Sequence, residues 1–482
     1  MGAAEILDLL VAGGTGGPLF ARGRMAAASG LLPEYSRRRG GRVSPARDCV
    51  MSRARSLDTS GVPETRLVRP GGAEQRFMTR RGRAPDDRMV TAPSREAWKR
   101  LGACTAAAAL LQLDGTLITV ALPTLAHSLK VSAASTSLVL SAYFASYALM
   151  LPAGGAVVDR FGPRRVALLG LALFAAGAAA GAVCSSLDAL AATRVVQGAG
   201  AGLVSPAALA GAVSGFPPER RGGALGIWGA SAGVSNLIGP LAGGLLTVSL
   251  GWRADWWALV PLALLAATAI VAQVPRIGST QPATDAGPVA SPIVLTAGFL
   301  AGVTFAVMIG SFYLAEQYLQ RTARYSPLGA SSVLVLVALF VGMAAPMAGR
   351  LADRRGERFP AMAGFLATGT GLLVLGLPGV SLRSAVTIAP LFVVGLGLGM
   401  LFVPVSRAAL NATAPSAHGR TSAILSGGRL LGAAAGAGLA GLALAGGATA
   451  AAVHEALLVA CALCLVIGVP AARLLPSAAD RR

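Results

Sequence analysis

The stretch GAVVDRFGPRR, residues 155–165, decides the fold, because a second copy, GRLADRRGERF, stands at residues 349–359. The two copies agree at five of eleven positions, at a constant offset of 194 residues. The shared residues are Gly155, Asp159, Arg160, Gly162 and Arg164 in the first copy, which ends on Arg165, and Gly349, Asp353, Arg354, Gly356 and Arg358 in the second. Each copy lies between two apolar segments, which predicts a chain made of two related halves.

The apolar segments that follow residue 100 are about 20 residues long, enough to cross a ~30 Å hydrocarbon core as an α-helix. We expect twelve spans, at 101–122, 136–157, 165–184, 187–211, 222–247, 253–274, 293–317, 328–348, 360–378, 385–406, 421–445 and 450–472. The longest polar link follows the sixth span. The sequence therefore predicts an all-α polytopic membrane protein with two pseudo-symmetric six-helix bundles, 95–274 and 293–472, joined by a cytoplasmic linker at 275–292.

Composition supports a membrane protein and excludes several other classes. Hydrophobic residues make up 54% of the chain and charged residues 13%, against about 25% charged in soluble domains. The net charge of +20 does not indicate nucleic acid, because the basic residues of the core lie in short loops beside the lipid bilayer. Twelve of these basic residues fall in one set of loops and five in the other. Since the more basic loops of a membrane protein lie on the cytoplasmic side, we expect a plasma-membrane protein with both termini in the cytoplasm.

The two ends of the chain differ from the core. Residues 1–94 show no helical or strand periodicity, and we expect a disordered cytoplasmic tail there. Met89 stands just before SREAWKRLGAC, a suitable lead into the first span, so translation starting at Met89 is an alternative that an intact mass would decide. Residues 473–482 are expected to form a second, short cytoplasmic tail.

The repeated stretch resembles the signature loop of the major facilitator superfamily. Four further stretches are similar to motifs of its drug/proton antiporters: LDGTLITVALP at 113–123, LAATRVVQGAGAG at 190–202, GASAGVSNLIGPLAGG at 229–244 and YLAEQYLQRTARYSPLGAS at 313–331. The last one, and GGRLLG around Arg429, resemble the fourteen-helix exporters, but no extra hairpin fits between Gln273 and Ser291. The resemblance implies a twelve-helix, monomeric relative of the multidrug exporters.

Asp114 is the most informative residue. A carboxylate inside a membrane helix costs about 2.5–3.5 kcal/mol on insertion scales, so it usually has a partner and a function. At a rise of ~1.5 Å per residue, Asp114 lies about 12 Å, and Arg194 about 10 Å, below the outer ends of their helices. We therefore expect them to pair. Asp114 is predicted to couple proton binding to cavity opening; a fixed ion pair between helices is the alternative. The resemblance implies that Arg194 takes part in proton handling.

The two repeated loops and the fifth helix have both functional and structural interpretations. The resemblance implies that Asp159 and its neighbours form a cytoplasmic latch, with Asp353 as the weaker counterpart, whereas ordinary loop anchoring is the alternative. In the fifth helix, Pro240 leaves the carbonyl of Asn236 without its helical partner. The glycines around Pro240 allow close helix packing, which fits either an antiporter bend or simple packing. They are Gly229, Gly233, Gly239, Gly243 and Gly244.

Three other polar residues are candidates for a substrate or proton site: Gln197, Glu316 and Arg429. Glu316 falls close to the outer end of the seventh helix, so we expect a solvated helix end there, with a substrate or proton site as the alternative. Arg429 is an intramembrane cation for which the sequence offers no partner. No zinc spacing, phosphate-binding loop or catalytic triad is present, so we expect no metal, no cofactor and no enzyme activity.

The function expected from these residues is export of small hydrophobic or cationic compounds in exchange for protons, by alternating access, as in antibiotic efflux. Proton-linked uptake or facilitated transport of a polar metabolite is one alternative, and a membrane sensor that transports nothing is another. The apolar helices favour export.

Overall fold

The computed structural model describes residues 94–216, 221–276, 291–377, 388–414 and 417–479. Within these ranges, twelve helices are long and apolar enough to cross a membrane. The first half contains α1 Arg95–Ser128, α2 Ala133–Phe161, α3 Pro163–Val183, α4 Leu187–Val213, α5 Arg221–Leu250 and α6 Arg253–Gln273. The second half contains α7 Pro292–Gln317, α8 Pro327–Arg355, α9 Arg358–Gly376, α10 Ile388–Asn411, α11 His418–Ala443 and α12 Ala450–Ala462.

Two helices continue in a wider geometry. A π-helical turn, Tyr318–Thr322, extends α7, and a π-helical segment, Leu463–Gly468, extends α12 into a last α-helical turn, Val469–Ala472. Each of the twelve predicted spans overlaps one helix, so the all-α fold with twelve helices is confirmed. Residues 1–93, with the alternative start at Met89, and residues 277–290 of the predicted linker lie outside the described residues.

Hydroxyl side chains define where many of the helices begin. Ser132, Ser186, Ser291 and Ser326 each accept a hydrogen bond from the backbone N–H three residues later, at the starts of α2, α4, α7 and α8. Such caps satisfy one of the N–H groups that a helix start leaves without a partner. The short links between spans are therefore compatible with separate helices.

The two halves repeat the same packing. In the first half α1 packs on α5, α2 on α4 and α3 on α6; in the second half α7 packs on α11, α8 on α10 and α9 on α12. Pro152 in α2 and Pro346 in α8 stand at the same offset as the repeated loops, so the sequence repeat extends into the helices. The correspondence of partners shows the pseudo-symmetry that the repeated stretch predicts.

The halves meet mainly through two helix pairs, α2 with α11 and α5 with α8. Ser141 of α2 donates to the carbonyl of Ala434 in α11 at 3.1 Å, and Thr136 of α2 lies 3.0 Å from the hydroxyl of Tyr313 in α7. These contacts lie at the end of the molecule where α1 and α7 finish, which we call the closed end. The opposite end, which carries the loops α2–α3 and α8–α9, is called the loop end.

The pattern of exposure along the helices indicates a cavity that opens at the loop end. In α1 every residue from Asp114 to Pro123, toward the closed end, is buried, whereas Gln112 and Leu113 are partly exposed. In α11, Ala433, Ala437 and Ala440 are buried, whereas Ser422, Ser426 and Arg429, nearer the loop end, are partly exposed. The cavity therefore ends near the level of Asp114 and Arg429.

Candidate functional site

The centre of the candidate site is an ion pair between α1 and α4. One guanidinium nitrogen of Arg194, Nη1, lies 2.8 Å from both carboxylate oxygens of Asp114. Both side chains are fully buried. Since a lone charge inside a protein is far costlier than a paired one, each residue makes the burial of the other possible. The pairing expected from helix depth is present.

Gln197 completes the pair. It follows Arg194 by three residues, so both side chains leave the same face of α4. Its Oε1 accepts from Arg194 Nη1 at 2.8 Å, and its Nε2 donates to Asp114 Oδ1 at 3.1 Å. Three of the sequence-predicted residues thus form one buried hydrogen-bonded cluster, which we call the Asp114 cluster.

Tyr143 of α2 is a fourth member that the sequence did not reveal. Its ring centroid lies 4.2 Å from the guanidinium carbon of Arg194, and its hydroxyl donates to the carbonyl of Leu111 at 2.8 Å. Arg194 Nε also donates to the carbonyl of Val139 in α2, at 3.1 Å. Arg194 therefore ties α4 to α1 and α2 together. The only available signal was a tyrosine within an apolar span.

A second polar pair lies beside the cavity on the same half. Gln112, two residues before Asp114, donates to Asn236 Oδ1 of α5 at 3.2 Å. Both side chains are partly exposed. They place neutral donors and acceptors, rather than charges, on this part of the cavity wall.

Glu316 corrects one expectation. A solvated helix end is the expectation for this residue, but its side chain is fully buried. One carboxylate oxygen accepts from Gln320 at 2.7 Å, and Gln320 also donates to the carbonyl of Val120 in α1, at 2.8 Å. The expectation of a solvated end is wrong because α7 continues as a π-helical turn that packs against α1. Glu316 belongs to the closed end, remote from the cavity opening.

Arg429 is not brought together with the Asp114 cluster. Its Nη2 donates to Ser406 Oγ of α10 at 2.8 Å, and its guanidinium carbon lies 5.8 Å from the ring centroid of Phe305 in α7. Among the described residues it forms no ion pair. The second half of the protein thus places a cation at the cavity.

The antiporter-like stretch of α5 packs closely at the closed end. A side chain at Gly239 would collide with Thr116, and one at Gly243 with the backbone of Leu117, both in α1. Gly244 faces α8, where an added Cβ would lie 3.0 Å from Leu328 Cα.

The remaining members of this stretch differ from these three. A Cβ added at Gly233 would meet no atom within 4 Å, so close helix packing does not require a glycine at this position in this conformation. Gly229 lies in α5, and Pro240 stands inside the helix.

The two repeated loops share one geometry. Gly162 and Gly356 have φ of 82° and 77°, a region that favours glycine. Arg164 donates to the carbonyl of Val274 just after α6, at 3.2 Å, and Arg358 donates to the carbonyl of Leu475, just after the last helical turn that extends α12, at 2.9 Å. The matching arginines thus hold the last helix of each half.

The acidic residues of the two loops differ. Asp353 accepts from Arg407 of α10, which also lies 3.7 Å from the buried Glu357. Asp159 is exposed and forms no ion pair with any described residue. The first loop is therefore open in this conformation, and its role as a latch stays a prediction. Arg160 and Arg165 are exposed as well. Within the described ranges, no three His, Cys, Asp or Glu side chains lie together as a metal site requires.

Comparison with known families decides the class of the protein. The family model described as Major Facilitator Superfamily matches residues 104–437 and, in a second alignment, 294–481. The chain belongs to the major facilitator superfamily. The expected resemblance and the membrane-transporter fold are confirmed, and the twelve helices make it a multi-pass membrane protein.

Relatives within the superfamily include resistance proteins. The chain is 26% identical over 397 residues to the multidrug resistance protein Stp of Mycobacterium tuberculosis, covering 70% of this chain and 74% of that one. It is 39% identical over 171 residues to an uncharacterized MFS-type transporter of the same organism, covering 36% and 30%. It is 35% identical over 172 residues to the tetracenomycin C resistance and export protein of Streptomyces glaucescens, covering 36% and 32%. The chain therefore spans about a third of the length of the last two.

A solved structure supports the fold alone. The D-xylose–proton symporter superposes with a TM-score of 0.60 at 14% identity, covering 78% of this chain and 98% of that one.

Proposed function

We propose that the protein exports small, largely apolar compounds from the cytoplasm in exchange for protons, as a monomer in the plasma membrane with both termini inside. Membership of the superfamily supports transport, and relatives named as multidrug resistance and antibiotic export proteins support export. The observation that carries proton exchange is the fully buried Asp114 cluster at the inner limit of the cavity.

Proton binding to Asp114 has a direct mechanical consequence. A protonated carboxyl carries no charge, so it no longer neutralises Arg194. Arg194 also bonds to Val139 of α2, and α2 carries Thr136 and Ser141, which join the halves at the closed end. A change in charge at Asp114 is therefore transmitted to the helix that closes the molecule. Exchange requires two conformations whose balance is shifted when one proton binds, and the link from Asp114 to α2 would provide this.

The conformation and the predicted orientation are compatible with export. With the basic loops in the cytoplasm, the open loop end faces the cell interior. In this conformation the cavity receives cargo from inside, with Asp114 paired to Arg194. After the halves rock, Asp114 faces the outside, where a proton binds and resets the cycle.

The experiment uses purified protein in liposomes and N-phenyl-1-naphthylamine, an uncharged apolar dye. A dye without charge does not follow a pH gradient by itself, so gradient-driven movement reports the protein. When the liposome lumen is acidic, we expect wild type to take up the dye. The Asp114→Asn variant should lose this gradient-driven uptake. Asp188→Asn is the matched control, because Asp188 lies exposed in the first turn of α4.

The outcomes separate the proposal from its alternatives. Gradient-driven movement that survives in Asp114→Asn would assign coupling to another group. Dye movement in wild type that ignores the gradient would indicate facilitated transport. No dye movement at all by well-folded wild type would contradict export of apolar compounds.

A further inference from the structure

We propose that Arg429 binds an acidic group of the cargo, so that the transported class includes amphiphiles with a sulfonate, carboxylate or phenolate. The proposal rests on the proposed function, because it assigns a cargo to the same cavity. It extends the expected hydrophobic or cationic compounds to anionic ones.

The position of Arg429 on α11 can be read from the neighbours of that helix. Gly428, Gly432 and Gly436 pack on the backbone of α7, whereas Ala434, Gly438 and Gly441 face α2. Leu431, Leu439 and Leu442 are exposed toward the lipid. At about 100° per residue, Arg429 points more than about 120° away from the centre of that lipid-facing stripe. Its side chain is therefore directed into the protein.

The depth of Arg429 places it where the cavity ends. Arg429 and Asp114 both lie about 21 Å from the closed-end termini of α11 and α1 at 1.5 Å per residue. On the inward face of α11, partial exposure begins at Arg429 and continues through Ser426 and Ser422 toward the loop end. A solute that enters from the loop end thus meets the guanidinium at the bottom of the cavity.

Among the described residues, no acidic side chain balances the charge of Arg429. Its hydrogen bond goes to the neutral hydroxyl of Ser406, and no carboxylate among the described residues pairs with it. Asp114, which lies at the same depth in α1, is already paired with Arg194. A cation at the membrane midplane without an acidic partner is costly, which makes an anionic ligand a favourable partner.

The surroundings of Arg429 also fit an amphiphile. Phe305 lies below the guanidinium, and its ring centroid is 5.7 Å from that of Phe402 in α10. The two rings offer apolar surface next to the charge, while Arg429 itself offers several N–H donors for an anionic oxygen. An aromatic or aliphatic body with one acidic group matches this arrangement better than a cation does.

The test compares two dyes of nearly equal apolar surface. 1-Anilinonaphthalene-8-sulfonate carries one negative charge, and N-phenyl-1-naphthylamine carries none. Counterflow of each dye is measured in liposomes without a pH gradient, so that recognition is separated from coupling. The ratio of sulfonate to neutral transport is compared among wild type, Arg429→Gln, Arg429→Lys and the control Arg473→Gln, whose residue is exposed after α12.

We expect the ratio to fall about tenfold in Arg429→Gln, the loss typical of one charge-assisted hydrogen bond. Arg429→Lys should keep part of the ratio, and Arg473→Gln all of it. Because a ratio cancels the amount of folded protein, a partly folded variant still gives an answer.

An unchanged ratio in Arg429→Gln, or failure of wild type to move the sulfonate, would overturn the proposal. The proposed function is tested separately by adding the pH gradient. If the ratio depends on Arg429 but the gradient accelerates neither dye, the cargo site stands and proton exchange fails. If the gradient drives the neutral dye but the ratio is the same with and without Arg429, proton exchange stands and the cargo site at Arg429 fails.

Discussion

The two halves share one helix arrangement but place their charges differently. In the first half the charges at the midplane cancel, since Arg194 pairs with Asp114, and the acidic residue of the loop, Asp159, is free of ion pairs with described residues. In the second half the loop residue Asp353 pairs with Arg407, whereas Arg429 at the midplane has no acidic partner among the described residues.

This difference indicates how one repeated fold can carry two tasks. A buried pair in which one partner can take a proton suits coupling, and an unbalanced cation at a cavity suits ligand binding. The repeated backbone contacts of Arg164 and Arg358 hold both halves in the same shape. Under the proposed function, the two halves share one backbone arrangement, and a few polar positions give each half a different role.

The largest expected effect is a difference in stability between variants of the two midplane arginines, Arg194 and Arg429. Arg194→Gln leaves the carboxylate of Asp114 buried without its cation, which should lower stability by about 3–5 kcal/mol. Arg429→Gln leaves no buried acid behind and should cost about 1 kcal/mol, the value of one hydrogen bond. Thermal unfolding in detergent measures both.

A double variant sharpens this prediction. Asp114→Asn combined with Arg194→Gln removes both charges and should recover most of the stability lost in Arg194→Gln alone. If Arg194→Gln and Arg429→Gln are equally stable, the two halves do not differ in the way described.

An intermediate difference in stability is expected between alanine variants of two glycines of α5, Gly243 and Gly233. Gly243→Ala places a methyl group against the backbone of Leu117 and should lower stability by about 1–3 kcal/mol, as overpacking does. Gly233→Ala meets open space in this conformation and should leave stability unchanged. The same unfolding assay applies, and equal losses at the two positions would contradict the packing described for the closed end.

The smallest expected effect separates the two loop acids. Asp353→Asn removes a partly exposed pair with Arg407, worth at most about 1 kcal/mol. Asp159→Asn removes no ion pair and should not change the stability of this conformation. If Asp159 forms the latch in the other conformation, Asp159→Asn should instead slow dye transport. Normal transport by Asp159→Asn would support simple loop anchoring.

Much of this arrangement can be predicted from the sequence. The twelve spans follow from length and hydropathy, and the pairing of Asp114 with Arg194 follows from helix depth. The sequence also marks Gln197 as a candidate site residue, although not as a partner of this pair. These features depend on position along a single helix, which one sequence records.

Contacts between distant helices could not be predicted in the same way. Tyr143 lies in α2 and meets Arg194 only after packing, and Glu316 is buried because α7 continues past its expected end. The repeat did not reveal Arg407 as the partner of Asp353, since Val213 stands at the corresponding place in the first half. The two halves therefore differ at this position, and the repeat cannot predict the contact.

The most direct test of the account is proton release on cargo binding. Purified protein in weakly buffered detergent solution is mixed with N-phenyl-1-naphthylamine near neutral pH while a pH indicator is followed. We expect wild type and Asp188→Asn to release protons, and Asp114→Asn to bind the dye without releasing them. Equal proton release by Asp114→Asn would show that Asp114 does not carry the exchanged proton.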